Sequence, residues 1–288
     1  MPQDLVDEVT NLESEVEEAA NEEPSYIHTV APDPRRSDPI DNPVWSSIFL
    51  PRTMLYLTCV QRIAEEGCTA ITEQKKYYEI DNVFVKRNLT PSEWAINIYG
   101  HLLIPYKCKE RLKNEAAAIR YIKANTSIPV PNIRCAFEDH GRFYLMTDIV
   151  PGVQMANLPD DVKGQVIKEV DGYVAQMHAI KSKVMGGFAG DVILPYRLSQ
   201  FLSPDDDAKF RDADTPEFVL CHNDLSQHNI IVDEETLKVN AILDWEYAGF
   251  FPPEFDGKFY LRPGPSVALE GELDDVEELF QVIDAWAI

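Results

Sequence analysis

The stretch from Phe218 to Glu246, FVLCHNDLSQHNIIVDEETLKVNAILDWE, constrains this chain more than any other. It opens on the apolar run Phe218 to Cys221, which suits a buried strand. A polar loop, His222 to Asn229, comes next, and then a second apolar run, Ile230-Ile231-Val232. Asp233 to Thr236 carry turn chemistry, and Val239, Ala241 and Leu243 alternate into a third strand ending on Asp244. A hairpin of the second and third strands brings Asn229 and Asp244 to one end, beside the loop that carries Asp224.

That convergence has a chemical use. Phosphoryl transfer needs a carboxylate near the incoming hydroxyl and oxygen ligands for the Mg²⁺ that neutralises the phosphates. Asp224 fits the first role, Asn229 and Asp244 the second. A surface turn would carry similar residues, but flanking strands and a separately spaced Asp244 argue against it. Cys221, His222, Asp224 and His228 make a poor metal cluster, since they lack both an HExxH spacing and a second His/Cys group.

The order His222-x-Asp224, Asn229 five residues on, and Asp244 after a hydrophobic strand has the spacing of a kinase catalytic loop. The chain resembles the kinase-like phosphotransferases. More closely it resembles the aminoglycoside phosphotransferase family, whose fungal members are similar to CHNDLSQHN followed by ILDWEYAGFFPPEF. NTSIPVP, at Asn125 to Pro131, is a further likeness. The resemblance implies a two-lobed, protein-kinase-like α+β fold, with a small β-rich N-lobe and a larger, mainly helical C-lobe. ATP and Mg²⁺ would lie between them. It implies Asp224 as the catalytic residue and Asn229 and Asp244 as metal ligands. Lys86, held by Glu115, would steady the phosphates. The backbone near Thr147-Asp148-Ile149 would meet the adenine, with Met146 lining the pocket. His222 would support the loop through hydrogen bonds. Glu246 reads equally well as a ligand to a second metal or as a solvated side chain.

The residues support the Lys86–Glu115 pair independently. The helix expected over Lys109 to Asn125 has the apolar stripe Leu112, Ala116, Ile119 and Ile122, and Glu115 falls inside it. A carboxylate on a buried face is costly unless paired, and Lys86 ends the preceding strand Val83-Phe84-Val85-Lys86.

Composition narrows the function. The 288 residues carry a net charge of -23, which argues against nucleic acid as a partner. The cysteines, at 59, 68, 108, 135 and 221, are odd in number and include no CxxC, as in a reduced cytoplasmic protein. No secretory signal and no apolar run of membrane-spanning length is visible, so no membrane partner is expected. Nothing sets the oligomeric state.

Three regions are expected. Residues 1–45 hold 12 acids against 2 arginines, a net of -10 that leaves -13 elsewhere, and read as a disordered acidic tail. Residues 46–148 form the nucleotide-binding lobe and 149–288 the catalytic and acceptor lobe. Within the first lobe, Trp45 to Tyr56 pack as an entry segment and residues 57–87 form an antiparallel sheet. Glu65 to Ala70 make the turn between its first two strands. In the resembled fold that turn covers the phosphates, but here it holds only Gly67, next to the two glutamates Glu65 and Glu66. Trp94 to Pro105 read as helical, and Ile133–Phe137 with Phe143–Val150 as a hairpin about Asp139-His140-Gly141. In the second lobe a helix from Leu158 to Lys181 is capped by Asp160 or Asp161, residues 186–216 and 247–267 are mostly loop, and Leu273 to Ala287 form a last helix.

The function that follows is ATP-dependent transfer of the γ-phosphoryl group to a hydroxyl of a small molecule, a cationic one being favoured by an acidic cleft. Two alternatives stand beside it. A non-catalytic nucleotide-binding pseudokinase or scaffold is favoured by the weak glycine turn. A protein Ser/Thr kinase is disfavoured by Ser226 two residues after Asp224, by Trp245-Glu246 after Asp244 and by the lack of Ala-Pro-Glu.

Overall fold

The structure is a computed structural model, and it describes residues 65–97, 99–203 and 206–288. The expected acidic tail and the entry segment Trp45 to Tyr56 lie outside these residues.

Strands β1 (Cys68–Ile71), β2 (Lys75–Ile80) and β3 (Val83–Asn88) join β6 (Ile133–Asp139) and β7 (Arg142–Asp148) in a five-stranded antiparallel sheet, ordered β1-β2-β3-β7-β6. Two-residue turns close its β2–β3 and β6–β7 hairpins. Asp81 takes the left-handed backbone between β2 and β3, and His140 and Gly141 take it between β6 and β7. Helix α1 (Cys108–Asn125) lies against the sheet, with Leu112 and Ala116 packed on Phe143 and Leu145. The expected stripe is the buried one, and Glu115 within it is 2% exposed.

Two expectations about this lobe are corrected. The β1–β2 turn is Thr72-Glu73-Gln74, and Glu65 to Gly67 precede β1. Thr72 sets the turn: its Oγ1 accepts from the N–H of Lys75 at 3.0 Å, and its own N–H donates to the Lys75 carbonyl at 2.9 Å. The helix expected over Trp94 to Pro105 is instead a small hairpin, β4 (Ala95–Ile96) with β5 (Leu102–Leu103). Asn97 Oδ1 accepts the N–H groups of Tyr99 and His101, and Gly100 sits at φ 82, so local turn bonds displace the helical ones.

Beyond β7 come β8 (Val153–Gln154), α2 (Asp160–Ala179), β9 (Lys181–Ser182) and the short α3 (Tyr196–Ser199). Then follow β10 (Phe218–Cys221), β11 (Ile230–Val232), β12 (Val239–Ile242), β13 (Gly249–Phe251) and α4 (Val276–Trp286). The strands pair as β13-β10-β9 and β12-β11-β8. Val166, Val170 and Met177 of α2 pack with Leu220, Ile230 and Trp245 in the main core, beneath the polar loop. The N-cap of α2 is Pro159 and makes no side-chain bond. Asp160 and Asp161 fall in the first turn, where the helix dipole favours acids. β12 stops at Ile242, short of the expected Asp244, because the N–H of Leu243 turns to the Asn229 carbonyl at 2.8 Å and Asp244 enters the left-handed region at φ 58. Among the described residues no helix is long and apolar enough to cross a membrane.

Candidate active site

The site forms where the β11–β12 hairpin and the loop after β10 meet one face of the five-stranded sheet. Every residue of β10 is buried, which fixes where the loop starts. Asn223 then takes φ 65, a conformation asparagine tolerates, and donates Nδ2 to the Tyr247 carbonyl at 2.9 Å. His222, 0% exposed, braces the loop from within. Its Nδ1 accepts the N–H of Asp224 at 3.2 Å and its Nε2 donates to the Leu243 carbonyl at 2.9 Å. Burial lowers its basicity, which keeps the ring in the neutral form these two bonds need. Below the loop, Asp256 Oδ1 accepts the N–H groups of His222 and Asn223 at 3.1 and 3.2 Å.

Asn229 donates Nδ2 to the Asp224 carbonyl at 2.7 Å, which leaves its Oδ1 as the group to meet a cation. Asp244, with its side chain 42% exposed, meets Lys86 through Oδ1. Lys86 also donates to Glu115 Oε1 at 2.7 Å, so the expected pair is present. Burial works against the Lys86 charge, but Asp244 and Glu115 more than offset it and hold the ammonium protonated. The same ammonium outweighs burial at Asp244 and keeps that carboxyl low. Asp224 differs. Burial, reinforced by Asp244 and Glu246 and opposed by the Ser266 hydroxyl beside it, pushes its carboxyl up to about 8. Oxygen donors on Asn229 and Asp244, close to a carboxyl raised by burial and by neighbouring negative charge, suit a hard cation such as Mg²⁺.

Sequence reasoning missed a second charged cluster beside the first. Lys75, 4% exposed, pairs with Glu246 Oε2. Arg111, 1% exposed, reaches Glu246 Oε1 at 3.4 Å, Gln74 Oε1 at 2.6 Å and the Tyr247 hydroxyl. Asn114 donates to the carbonyls of Glu246 and Ala248 at 3.0 and 2.8 Å, tying α1 to the turn after Asp244. Glu246, 7% exposed, is therefore not the solvated side chain it might have been. The only sequence signal was its place two residues after Asp244.

The end of the cleft expected to meet the adenine is less complete. Met146 pairs with Val85, on the sheet face opposite Lys86, and is corrected as a lining residue of the Lys86 cleft. Thr147, opposite Phe84, and Tyr77, opposite Lys86, hold that face. The N–H of Asp148 donates to the Asn132 carbonyl and that of Ile149 to the Asn82 carbonyl, both at 2.9 Å, so neither amide is free for a base. The Asp148 side chain turns to Arg134 and Asn132.

Comparison with protein families matches residues 105–286 to the phosphotransferase enzyme family, APH. The chain belongs to that family. The matched residues of this APH-family chain include α1 with Glu115, the loop with Asp224 and Asn229, and Asp244. No curated protein matches the sequence. Among solved structures the chain is similar to an apo thermostable mutant of aminoglycoside phosphotransferase APH(4)-Ia, at 15% identity over 65% of this chain and 68% of that one, TM-score 0.41. It is also similar to the GDP and kanamycin complex of APH(2")-IIia, at 12% identity over 66% and 69%, TM-score 0.45. A third is aminoglycoside-3'-phosphotransferase of type VIII, at 16% identity over 76% and 86%, TM-score 0.43. The family assignment rests on the sequence match and not on these likenesses.

Proposed function

We propose that this APH-family chain transfers the γ-phosphoryl group of ATP to a hydroxyl of a small, cationic molecule. The observation that carries the reading is Lys86, shared between Glu115 of α1 and Asp244 of the loop side, next to an Asp224 that no cation among the described residues neutralises directly. When nucleotide enters, Lys86 exchanges Asp244 for phosphate oxygens while Glu115 keeps it aimed. Asn229 Oδ1 and the freed Asp244 carboxylate are the oxygens that would hold Mg²⁺, which supplies charge neutralisation along the phosphates. Asp224 orients the acceptor hydroxyl and takes its proton as the bond to the γ-phosphorus forms and the bond from that phosphorus to the bridging oxygen breaks, releasing ADP. A carboxyl raised by burial is a better base than an ordinary aspartate.

A second reading is a nucleotide-binding scaffold without turnover, favoured by the β1–β2 turn Thr72-Glu73-Gln74, which contains no glycine. One experiment separates them: full-length protein with Mg-ATP, scored for binding by calorimetry and for phosphoryl transfer across a panel of amino- and hydroxyl-bearing metabolites. Transfer to a panel member supports the first reading. Binding without hydrolysis or transfer supports the second. No binding at all overturns both.

A further inference from the structure

Two lysines, not one, stand on the cleft face of the sheet, and they are built alike. Lys86 lies opposite Tyr77 and Lys75 opposite Asn88, which places the lysines on diagonal positions of neighbouring strands with Cα atoms roughly 7–8 Å apart. Both are buried, at 9% and 4% exposure. Each meets one carboxylate from the segment after β12: Asp244 for Lys86, Glu246 for Lys75. Each arrangement also has a partner on α1 that keeps it balanced if the contact across the cleft breaks. Lys86 retains Glu115, and Glu246 retains Arg111.

The turn between β1 and β2 gives Lys75 its purpose. Phosphates are commonly cradled by free backbone N–H groups in glycine-rich turns. Thr72-Glu73-Gln74 has no glycine, its Thr72 N–H donates to the Lys75 carbonyl, and Thr72 Oγ1 already accepts the N–H groups of Gln74 and Lys75. The turn therefore brings a buried ammonium to the cleft where such turns bring amides. We propose that Lys75 is a second phosphate-binding cation of the nucleotide site, released from Glu246 to the phosphate chain while Arg111 retains Glu246. This inference rests on the phosphotransferase reading of the cleft.

The test measures affinity for Mg-ATP and for adenosine in full-length wild type, Lys75→Met, Lys75→Arg and the double variant Lys75→Met/Glu246→Gln. The double variant removes both charges of the buried pair, so it serves where the single one folds poorly. Mg-ATP affinity should fall roughly tenfold to a hundredfold in both Met variants, the scale of losing a charged hydrogen-bond partner, and less in Lys75→Arg. Adenosine affinity should not change. Unchanged Mg-ATP affinity, or a parallel loss for ATP and adenosine, overturns the proposal and leaves Lys75 a structural ion pair. If Asp244→Asn weakens Mg-ATP while Lys75→Met does not, the phosphotransferase reading stands and the Lys75 role alone falls. Wild type that binds no Mg-ATP removes both.

Discussion

The two faces of the β2–β3 hairpin carry the same chemistry and use it differently. On one face Arg87, 1% exposed, makes two bonds to Glu93, at 2.8 and 2.7 Å, and one to Glu65 at 2.5 Å, while Lys76 meets the same two acids. All of those partners belong to the same lobe and lie within a few dozen residues. On the other face Lys75 and Lys86 take partners 171 and 158 residues away, across the cleft. A cation held entirely by its own lobe has nothing to release and can only stabilise. A cation held by the opposite lobe can exchange its partner for a ligand entering between them. The basic residues of the two faces thus differ in which lobe supplies the counter-charge, and the proposed function uses that difference.

The largest expected effect tests the structural face. Arg87→Met leaves Glu93, whose own acidity depends chiefly on Arg87 once burial is overcome, without its main partner. Urea unfolding should show a loss of about 3 kcal/mol or more, the scale of breaking a buried pair, with the Mg-ATP to adenosine affinity ratio unchanged in the folded protein. A changed ratio would end the distinction between the faces.

On the cleft face the expected losses are in turnover. Asp224→Asn should lower transfer by roughly 100-fold with Mg-ATP affinity almost unchanged, because the acceptor hydroxyl is absent from the binary complex. Asp244→Asn should weaken Mg-ATP binding as well, since the proposed function gives its carboxylate to the metal. Reversed phenotypes would exchange the two roles.

Ligand linkage gives a comparable but softer readout. Mg-ATP at a hundred times its Kd should stabilise wild type by about 2.7 kcal/mol. Chelation of Mg²⁺ should remove most of that gain, and Asp244→Asn should show little of it. Arg87 variants that still fold should retain it in full.

The last test concerns pH. The Asp224 carboxyl is raised in the folded protein to about 8 from an ordinary 3.8, so the folded state binds more protons than the unfolded one between these values. Stability from this group is therefore present at low pH and lost as pH rises toward 8. Without ligand, Asp224→Asn should melt higher than wild type at pH 9, and the difference should shrink toward pH 5. Equal melting temperatures across that range would show that Asp224 is not held in its neutral form.

Local pattern made the strand–loop–hairpin unit legible. The apolar runs at 218–221 and 230–232 are continuous, and turn residues separate them from the next strand. Helix α1 was legible for the same reason, and a carboxylate inside its apolar stripe pointed to Lys86. The β4–β5 hairpin was not legible, because Trp94 to Tyr106 is apolar without a clear period and the side chain of Asn97 decides the turn. Nor was the β1–β2 turn, where one threonine hydroxyl, rather than Gly67, sets the bend.

What the sequence by itself determined was which groups come from neighbouring residues: Asp224 and Asn229 on one loop, Asp244 at the end of the hairpin, and Glu115 on the buried stripe of its helix. Backbone periodicity places such groups, and periodicity is local. Only the tertiary structure decided that Lys75 is buried beside Lys86, that Arg111 and Asn114 grip the turn at Glu246, and that Met146 faces away from Lys86. Each of these depends on how α1 and the segment after β12 close against one face of the sheet. A lysine in a short strand reads the same whether that face meets water or carboxylates carried on residues 171 and 158 positions further along the chain.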